Sequence, residues 1–402
     1  MARAPLPSEL SMEIIRRLIQ FDTVSANTNL PLIEWVAKYL RGHGVDCRLS
    51  FGDGGRKANL FATIGPGIIG GTILSGHTDT VPVSGQRWKT APFDAVIDDG
   101  KLHGRGAADM KSFIGVCLAM VPKMKEMDLA RPIHLALTFD EETSMLGVRT
   151  LIADLRDAGI TPAACVVGEP TELKAVVGHK GRRAMTCCVR GKNAHSSIPS
   201  QGVNAIEYAA RIISHLRGMA ERYKQREARH YGYDVPHSTI LTTTIRGGLS
   251  ANTVPAECAF DFEFRHLPWT DPDALEAEIR KFTAQQIRAE MALESGDCEV
   301  SFETHCSYPA FEMTAHSEER MDPATSGLLD MLGKSQSPLG YMSFGTEATW
   351  FRHAGIPTVI CGPGSVEQAH KPDEYVTLAQ IAGCEQLLGE LLRGHLGRKA
   401  VP

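Results

Sequence analysis

Short, uninterrupted apolar runs alternate with helical patterns in the first part of the chain. They are Asn59-Leu60-Phe61-Ala62-Thr63-Ile64, Thr72-Ile73-Leu74, Ile133–Phe139 and Cys165-Val166-Val167, with Phe113, Val116, Cys117, Met120 and Val121 recurring between them at helical spacing. A strand that is apolar on both faces must be covered on both. The pattern therefore predicts an α/β fold with a mixed, largely parallel sheet and helices on both faces. In such sheets, chemistry gathers beyond the carboxyl ends of the strands.

The alternation changes after about Gly178. Strands near Ala184–Val189, Ser238–Ile245, Ala256–Phe264 and Glu299–Thr304 are interleaved with helices near Val203–Arg217 and Asp273–Ala289. That order, βαββαβ, is the ferredoxin-like arrangement of a small antiparallel sheet backed by two helices. It predicts an inserted domain over 180–306, with the α/β domain formed by 1–179 and 307–402. The α/β pattern resumes at Ile356–Cys361 and closes with a helix from about Thr377.

Composition excludes several classes. A formal net charge of −5 with no Lys/Arg run argues against nucleic-acid binding. The early stretch Glu13–Ile19 is helix-like and carries charges, so it is neither a signal-peptide core nor a membrane span. Ten cysteines occur without any CxxC spacing, which predicts buried thiols in a reducing cytoplasm. A metal, if held, must then be held by histidine and carboxylate.

Such residues stand where strands run out. In SGHTDTVP at residues 75–82, His77 and Asp79 are two positions apart and share a direction if the strand continues. Since metal-bound histidines usually donate their second ring N–H to a carboxylate, His77 reads as a ligand and Asp79 as the group fixing its tautomer. Asp109 lies in Gly104–Lys111 between a glycine-rich turn and a helix, where it would serve equally as an N-cap. Glu141 and Glu142 follow Phe139-Asp140 directly, and such adjacent charges are costly without cations or solvent. Glu169 follows the apolar run 165–167, and His370 lies in a loop after Ile356–Cys361. Two histidines and several carboxylates on one sheet edge suit zinc, with cobalt or manganese as replacements. Ser343-Phe344-Gly345-Thr346-Glu347 reads as a pocket-lining loop or simply a tight strand-to-helix connection.

SGHTDTVP, GRGAADMK, Asp140-Glu141-Glu142, GEPT at 168–171, NAHSS at 193–197 and Ala369-His370-Lys371-Pro372-Asp373 resemble, in order and spacing, the di-zinc amidohydrolases and carboxypeptidases of the M20 metallopeptidase family. The resemblance spans the whole chain and implies a zinc-exopeptidase-like α/β domain with an inserted dimerisation domain. It implies that Asp109 bridges two zinc ions, that His77 and Glu169 complete one site and Glu142 and His370 the other, and that the Asp109-Met110 peptide is cis. Glu141 is then the general base, and His195 reaches the site from the partner subunit of a homodimer. Asn252 and Arg265 are similar to positions that contact a substrate α-carboxylate, and Thr346 is placed in the pocket loop. The implied reaction is hydrolysis of a linear amide in a small N-acyl amino acid. The expected substrate is N2-acetyl-L-ornithine, on the route to arginine. Two alternatives are another acyl amino acid or dipeptide, such as succinyl-diaminopimelate, and a metal-binding scaffold without activity.

Overall fold

A computed structural model describes residues 5–313 and 321–396. Two compact units are distinguished. The first contains the described residues within 1–178, 312–340 and 346–402, and the second contains His179–Phe311 and Tyr341–Gly345.

The first unit is built on a mixed sheet. Its strands lie in the order Cys47–Gly52, Lys57–Ile64, Ile133–Thr138, Thr72–His77, Ala164–Pro170, Thr358–Gly362 and Val176–His179. The four from Ile133–Thr138 to Thr358–Gly362 are mutually parallel, and their neighbours on either side run antiparallel. Every residue of Thr72–His77, Ile133–Thr138 and Ala164–Pro170 is buried. Because alternate side chains point to opposite faces, this means both faces are covered, as the unbroken apolar runs require.

The parallel strands extend past their apolar cores into polar residues. Thr72-Ile73-Leu74 continues through Ser75 and Gly76 to His77, and the strand through Cys165-Val166-Val167 continues to Pro170. Ladder pairing of His77 with Thr138 carries both strands to the same level. Beneath them lies the helix Lys111–Ala119, whose residues 111–118 are all buried. Two close approaches seat it: a Cβ on Gly115 would come within 2.3 Å of Ile15, and one on Gly168 within 2.0 Å of the Phe113 ring. Larger side chains at either position would push the helix off its neighbours.

The second unit is a four-stranded antiparallel sheet in the order Thr239–Gly247, Glu257–His266, Gly181–Arg190 and Glu299–Tyr308. The first helix, Ala205–Arg226, runs nine residues beyond the expected Arg217, supported by an Arg217–Glu221 ion pair one turn apart. The second helix, Pro272–Phe282, continues through a π-type stretch, Thr283–Arg288, into Ala289–Glu294. Burial alternates along Glu257–His266, and Phe260, Phe262 and Phe264 meet Ile212, Leu216, Leu275 and Ile279 in one core. The short segment Tyr341–Gly345 also belongs here, although sequence reading placed it in the α/β domain. It is held by Arg265 Nη1, which donates to the Ser343 carbonyl at 3.3 Å, and by Gly345 lying against the Tyr308 ring.

All ten cysteines are free thiols. Among the described residues, no helix is long and apolar enough to cross a membrane.

Candidate metal centre

The ends of the parallel strands bring His77, Asp109, Glu141, Glu142, Glu169 and His370 together. His77 Nε2 is 2.9 Å from Asp109 Oδ1 and 3.8 Å from Glu169 Oε1. His370 Nε2 is 3.3 Å from the other Asp109 oxygen, Oδ2, and 3.0 Å from Glu142 Oε2. The Asp109 carboxylate thus lies between two histidines, offering one oxygen to each. Potential ligand atoms of His77, Glu141 and Glu169, and separately of His77, Asp109 and Glu142, fall within 4.8 Å of one another. Glu169 Oε1 is buried and has no hydrogen-bond partner. A carboxylate oxygen left in that state is costly, and a cation beside it would remove the cost. The donor set is all nitrogen and oxygen, which fits zinc and similar divalent ions.

Local structure aims each group. Asp109 precedes the helix but is not its cap: the N-cap is Met110, and no side chain caps that end. Freed from capping, the Asp109 carboxylate is available to both histidines. The Asp109-Met110 peptide is cis. Asp79 serves His77 differently from the sequence expectation. The His77 Nδ1 partner is the main-chain carbonyl of Asp79 at 3.0 Å, while the carboxylate stands 3.6 Å away. The tautomer is therefore set by a carbonyl, an equally good acceptor. Asp79's carboxylate holds the other side of the site: Oδ1 accepts from the Glu141 amide at 3.1 Å, and Oδ2 from the Glu142 amide at 3.3 Å and Ser25 Oγ at 2.7 Å. The preceding Asp140 takes a left-handed backbone conformation, φ 58°, and is tied to the buried Lys57 ammonium at 2.5 Å. Adjacent glutamates are thereby presented from one pinned turn.

Charge crowding perturbs the cluster. Burial, reinforced by Glu169, pushes the Glu141 carboxyl well above the usual range. Burial and Asp109 push Glu142 up to about 7, and burial and Asp109 likewise raise Glu169. Burial also opposes a charge on Asp109, but His370 and His77 outweigh it and hold its carboxyl low. Asp109 and Glu142 in turn hold His370 up at about 10. With no metal bound, Asp109 and Glu142 keep a proton on His370 at pH 7, and the raised carboxyls of Glu141, Glu142 and Glu169 hold protons more tightly than ordinary glutamates. Divalent ions must displace those protons. Metal uptake at pH 7 is expected to acidify a weakly buffered solution, and affinity should fall as pH is lowered and more protons compete. Uptake with no proton release, followed by a pH indicator during titration, would contradict this ligand set.

Thr346 is buried, and its Oγ1 accepts from the Ala348 amide at 3.2 Å at the start of the helix Ala348–His353. In the second unit, His195 and Asn252 are exposed in adjoining loops joined by a Ser196 amide to Asn252 carbonyl bond of 3.0 Å. His195 Nδ1 lies 2.7 Å from Ser197 Oγ. Arg265 Nε donates to Glu263 at 2.8 Å, and Arg182 pairs with the same carboxylate at 2.6 Å. Two buried carboxylates are not singled out by the sequence: Glu347, named only as part of the Ser343–Glu347 loop, and Glu374. Glu347 Oε2 accepts from Thr138 Oγ1 at 2.8 Å, and burial pushes its carboxyl up to about 8. Glu374 directly follows the Ala369–Asp373 motif.

The model of peptidase family M20/M25/M40 matches residues 73–394. The chain belongs to the M20 peptidase family. M20 peptidases are dinuclear metal enzymes, and this one is a metal-dependent hydrolase of amide bonds. An acetylornithine deacetylase from Pasteurella multocida is 34% identical over 397 residues, covering 96% of this chain and 98% of that protein. Two solved structures share the M20 fold. One is an M20 metallo-carboxypeptidase from Sulfolobus solfataricus with a TM-score of 0.75 at 16% identity, covering 96% of this chain and 99% of that one. The other, a dinuclear metal-binding M20 peptidase from Bacillus subtilis, has a TM-score of 0.63 at 15% identity, covering 95% and 96%.

Proposed function

We propose that this M20 enzyme deacetylates N2-acetyl-L-ornithine to L-ornithine and acetate, for arginine biosynthesis in the cytoplasm, using two zinc ions that cobalt can replace. The observation that carries this reading is the 34% identity extending along 98% of a relative named acetylornithine deacetylase. Asp109 would bridge the two ions, with His77 and Glu169 holding one and Glu142 and His370 the other. Divalent cations held there supply Lewis acidity toward the amide carbonyl and lower the pKa of water to about 7.

The protein's own groups do the rest. Glu141 takes the proton from the attacking water and returns it to the departing amine, as a carboxylate held beside the ligands can. Asp79 keeps the Glu141 and Glu142 amides in place. Arg265 and Asn252 are assigned to the substrate α-carboxylate, which a planar guanidinium suits, and Thr346 to the pocket wall. Turnover of acetylornithine, succinyl-diaminopimelate, acetylmethionine and simple dipeptides by metal-loaded protein tests the assignment. The highest kcat/KM is expected for acetylornithine. A higher value for succinyl-diaminopimelate or a dipeptide would replace the substrate while leaving the metal centre standing.

The enzyme is proposed to be a homodimer through the second unit. Its edge strand Thr239–Gly247 leaves Leu241 and Ile245 exposed, and an open edge of this kind is suited to cover by a second copy. His195 of the partner subunit would donate to the oxyanion of the tetrahedral intermediate. Mixing His195→Ala and Glu141→Gln chains, each nearly inactive alone, should restore activity in heterodimers holding one intact site. Activity that stays absent after verified subunit exchange would overturn the shared site.

A further inference from the structure

The loop carrying Asp109 and the loop carrying His370 belong to no common strand or helix, yet both must be held still for one carboxylate to face two histidines. Glu374, 1% exposed, is placed to do this. Its Oε1 accepts from the Ala108 amide at 2.8 Å and the Asp109 amide at 3.0 Å. Its Oε2 accepts from the Gly106 amide at 3.1 Å and from Arg105 Nη1 at 2.8 Å. Four donors fill the lone-pair sites of a carboxylate, and three of them are main-chain amides of the turn that ends in Asp109. These amides lie outside any ladder, so the carboxylate is what satisfies them.

Arg105 extends the same network to the other loop. It too is 1% exposed, and beyond Glu374 its Nη1 lies 3.3 Å from the Lys371 carbonyl. Its Nη2 donates to Gln86 Oε1 at 2.7 Å, while Gln86 Nε2 donates to the His370 carbonyl at 3.1 Å. His370 itself has φ 63°, a left-handed conformation that a non-glycine residue keeps only where its surroundings impose it. The carbonyls of His370 and Lys371 are thus both engaged by the Arg105 and Gln86 side chains.

We infer that Glu374 is a positioning residue that, with Arg105 and Gln86, locks the Asp109 and His370 loops into one rigid support for the two-metal centre. The inference rests on the two-metal reading given above. Glu374 touches neither ion nor substrate in this scheme; it acts through the main chain of Asp109. Replacing one of its oxygens by an amide nitrogen would set donor against donor at one end and leave the Arg105 charge buried without its partner.

The test challenges full-length, cobalt-loaded protein with graded chelator, reading bound cobalt from its visible absorption and by elemental analysis. Glu374→Gln should release both ions at chelator concentrations about tenfold to a hundredfold below those needed for the parent, the range found for outer-shell partners of metal ligands. Gln86→Ala removes the half-buried bridge between Arg105 and the His370 carbonyl but leaves the Arg105 charge paired with Glu374, so it should fold normally. It should release mainly the ion held by His370, at a chelator concentration at least about threefold lower, and this variant decides the matter if Glu374→Gln does not fold. Parent-like chelator resistance in a folded Glu374→Gln overturns the inference, even if its melting temperature has dropped, because a purely structural role would do that. So does parent-like resistance in Gln86→Ala when Glu374→Gln fails to fold. A parent that binds no cobalt at all would instead defeat the two-metal reading, and the inference would fall with it.

Discussion

Asp109→Ala is expected to empty both metal positions together. In the folded chain the two Asp109 oxygens face different histidines, at 2.9 Å and 3.3 Å, so a single truncation removes a ligand from each position. It also removes the anion that orients both histidines. Elemental analysis should show bound metal falling from about two ions per chain to well below one. The kcat/KM should drop at least about a thousandfold, since a cation's charge stabilisation is worth several kcal/mol and each 1.36 kcal/mol is about tenfold in rate. His370→Ala provides the contrast. His370 is more exposed than His77 and faces only Asp109 and Glu142, so its loss should weaken one ion and spare the other. Asp109→Ala protein that retains both ions would refute the bridging assignment.

The second large effect is expected at Glu141. Glu141→Gln preserves the side-chain shape and the amide that donates to Asp79 Oδ1, so the turn and the metal content should survive. What disappears is the capacity to accept and return a proton. A kcat lower by at least about a hundredfold, with KM and zinc content little changed, is the expected signature of a lost general base. If the variant loses metal instead, Glu141 is a ligand, and the roles of Glu141 and Glu142 are reversed. That alternative has a physical basis, because Glu141, His77 and Glu169 also offer atoms within 4.8 Å of one another.

Part of this cluster was readable in one dimension because several of its members interrupt a strong local pattern, whereas Asp109 and His370 lie in turns and were assigned through the motif resemblance. His77 ends a wholly buried strand, Glu169 sits within the polar end of another, and the Glu141-Glu142 pair follows a third. Polar residues at such places must find water, a partner or a cation, and their convergence follows from parallel strands ending at one edge. The βαββαβ order of the second unit was legible for a similar reason, since alternation along Glu257–His266 marks a sheet with one face on a core.

The supporting contacts were not legible, because they join residues far apart in sequence through groups that carry no local signature. Nothing near Ser25, Lys57 or Glu374 announces that Ser25 will donate to Asp79, that Lys57 will pin Asp140, or that Glu374 will accept three amides of the Asp109 turn. The partner of His77 Nδ1 also depended on geometry: the strand ends at His77, and the Asp79 carbonyl, not its carboxylate, lies within hydrogen-bond distance. Arg265, similar to positions that contact a substrate α-carboxylate, is paired with Glu263 two positions away on the same strand. The sequence by itself determined which elements form and which polar residues stand at their ends, because periodicity and burial are properties of neighbouring residues. Only the tertiary structure decided which oxygen faces which histidine and what holds each in place, because hydrogen-bond partners are chosen by distance in space after the chain has closed on itself.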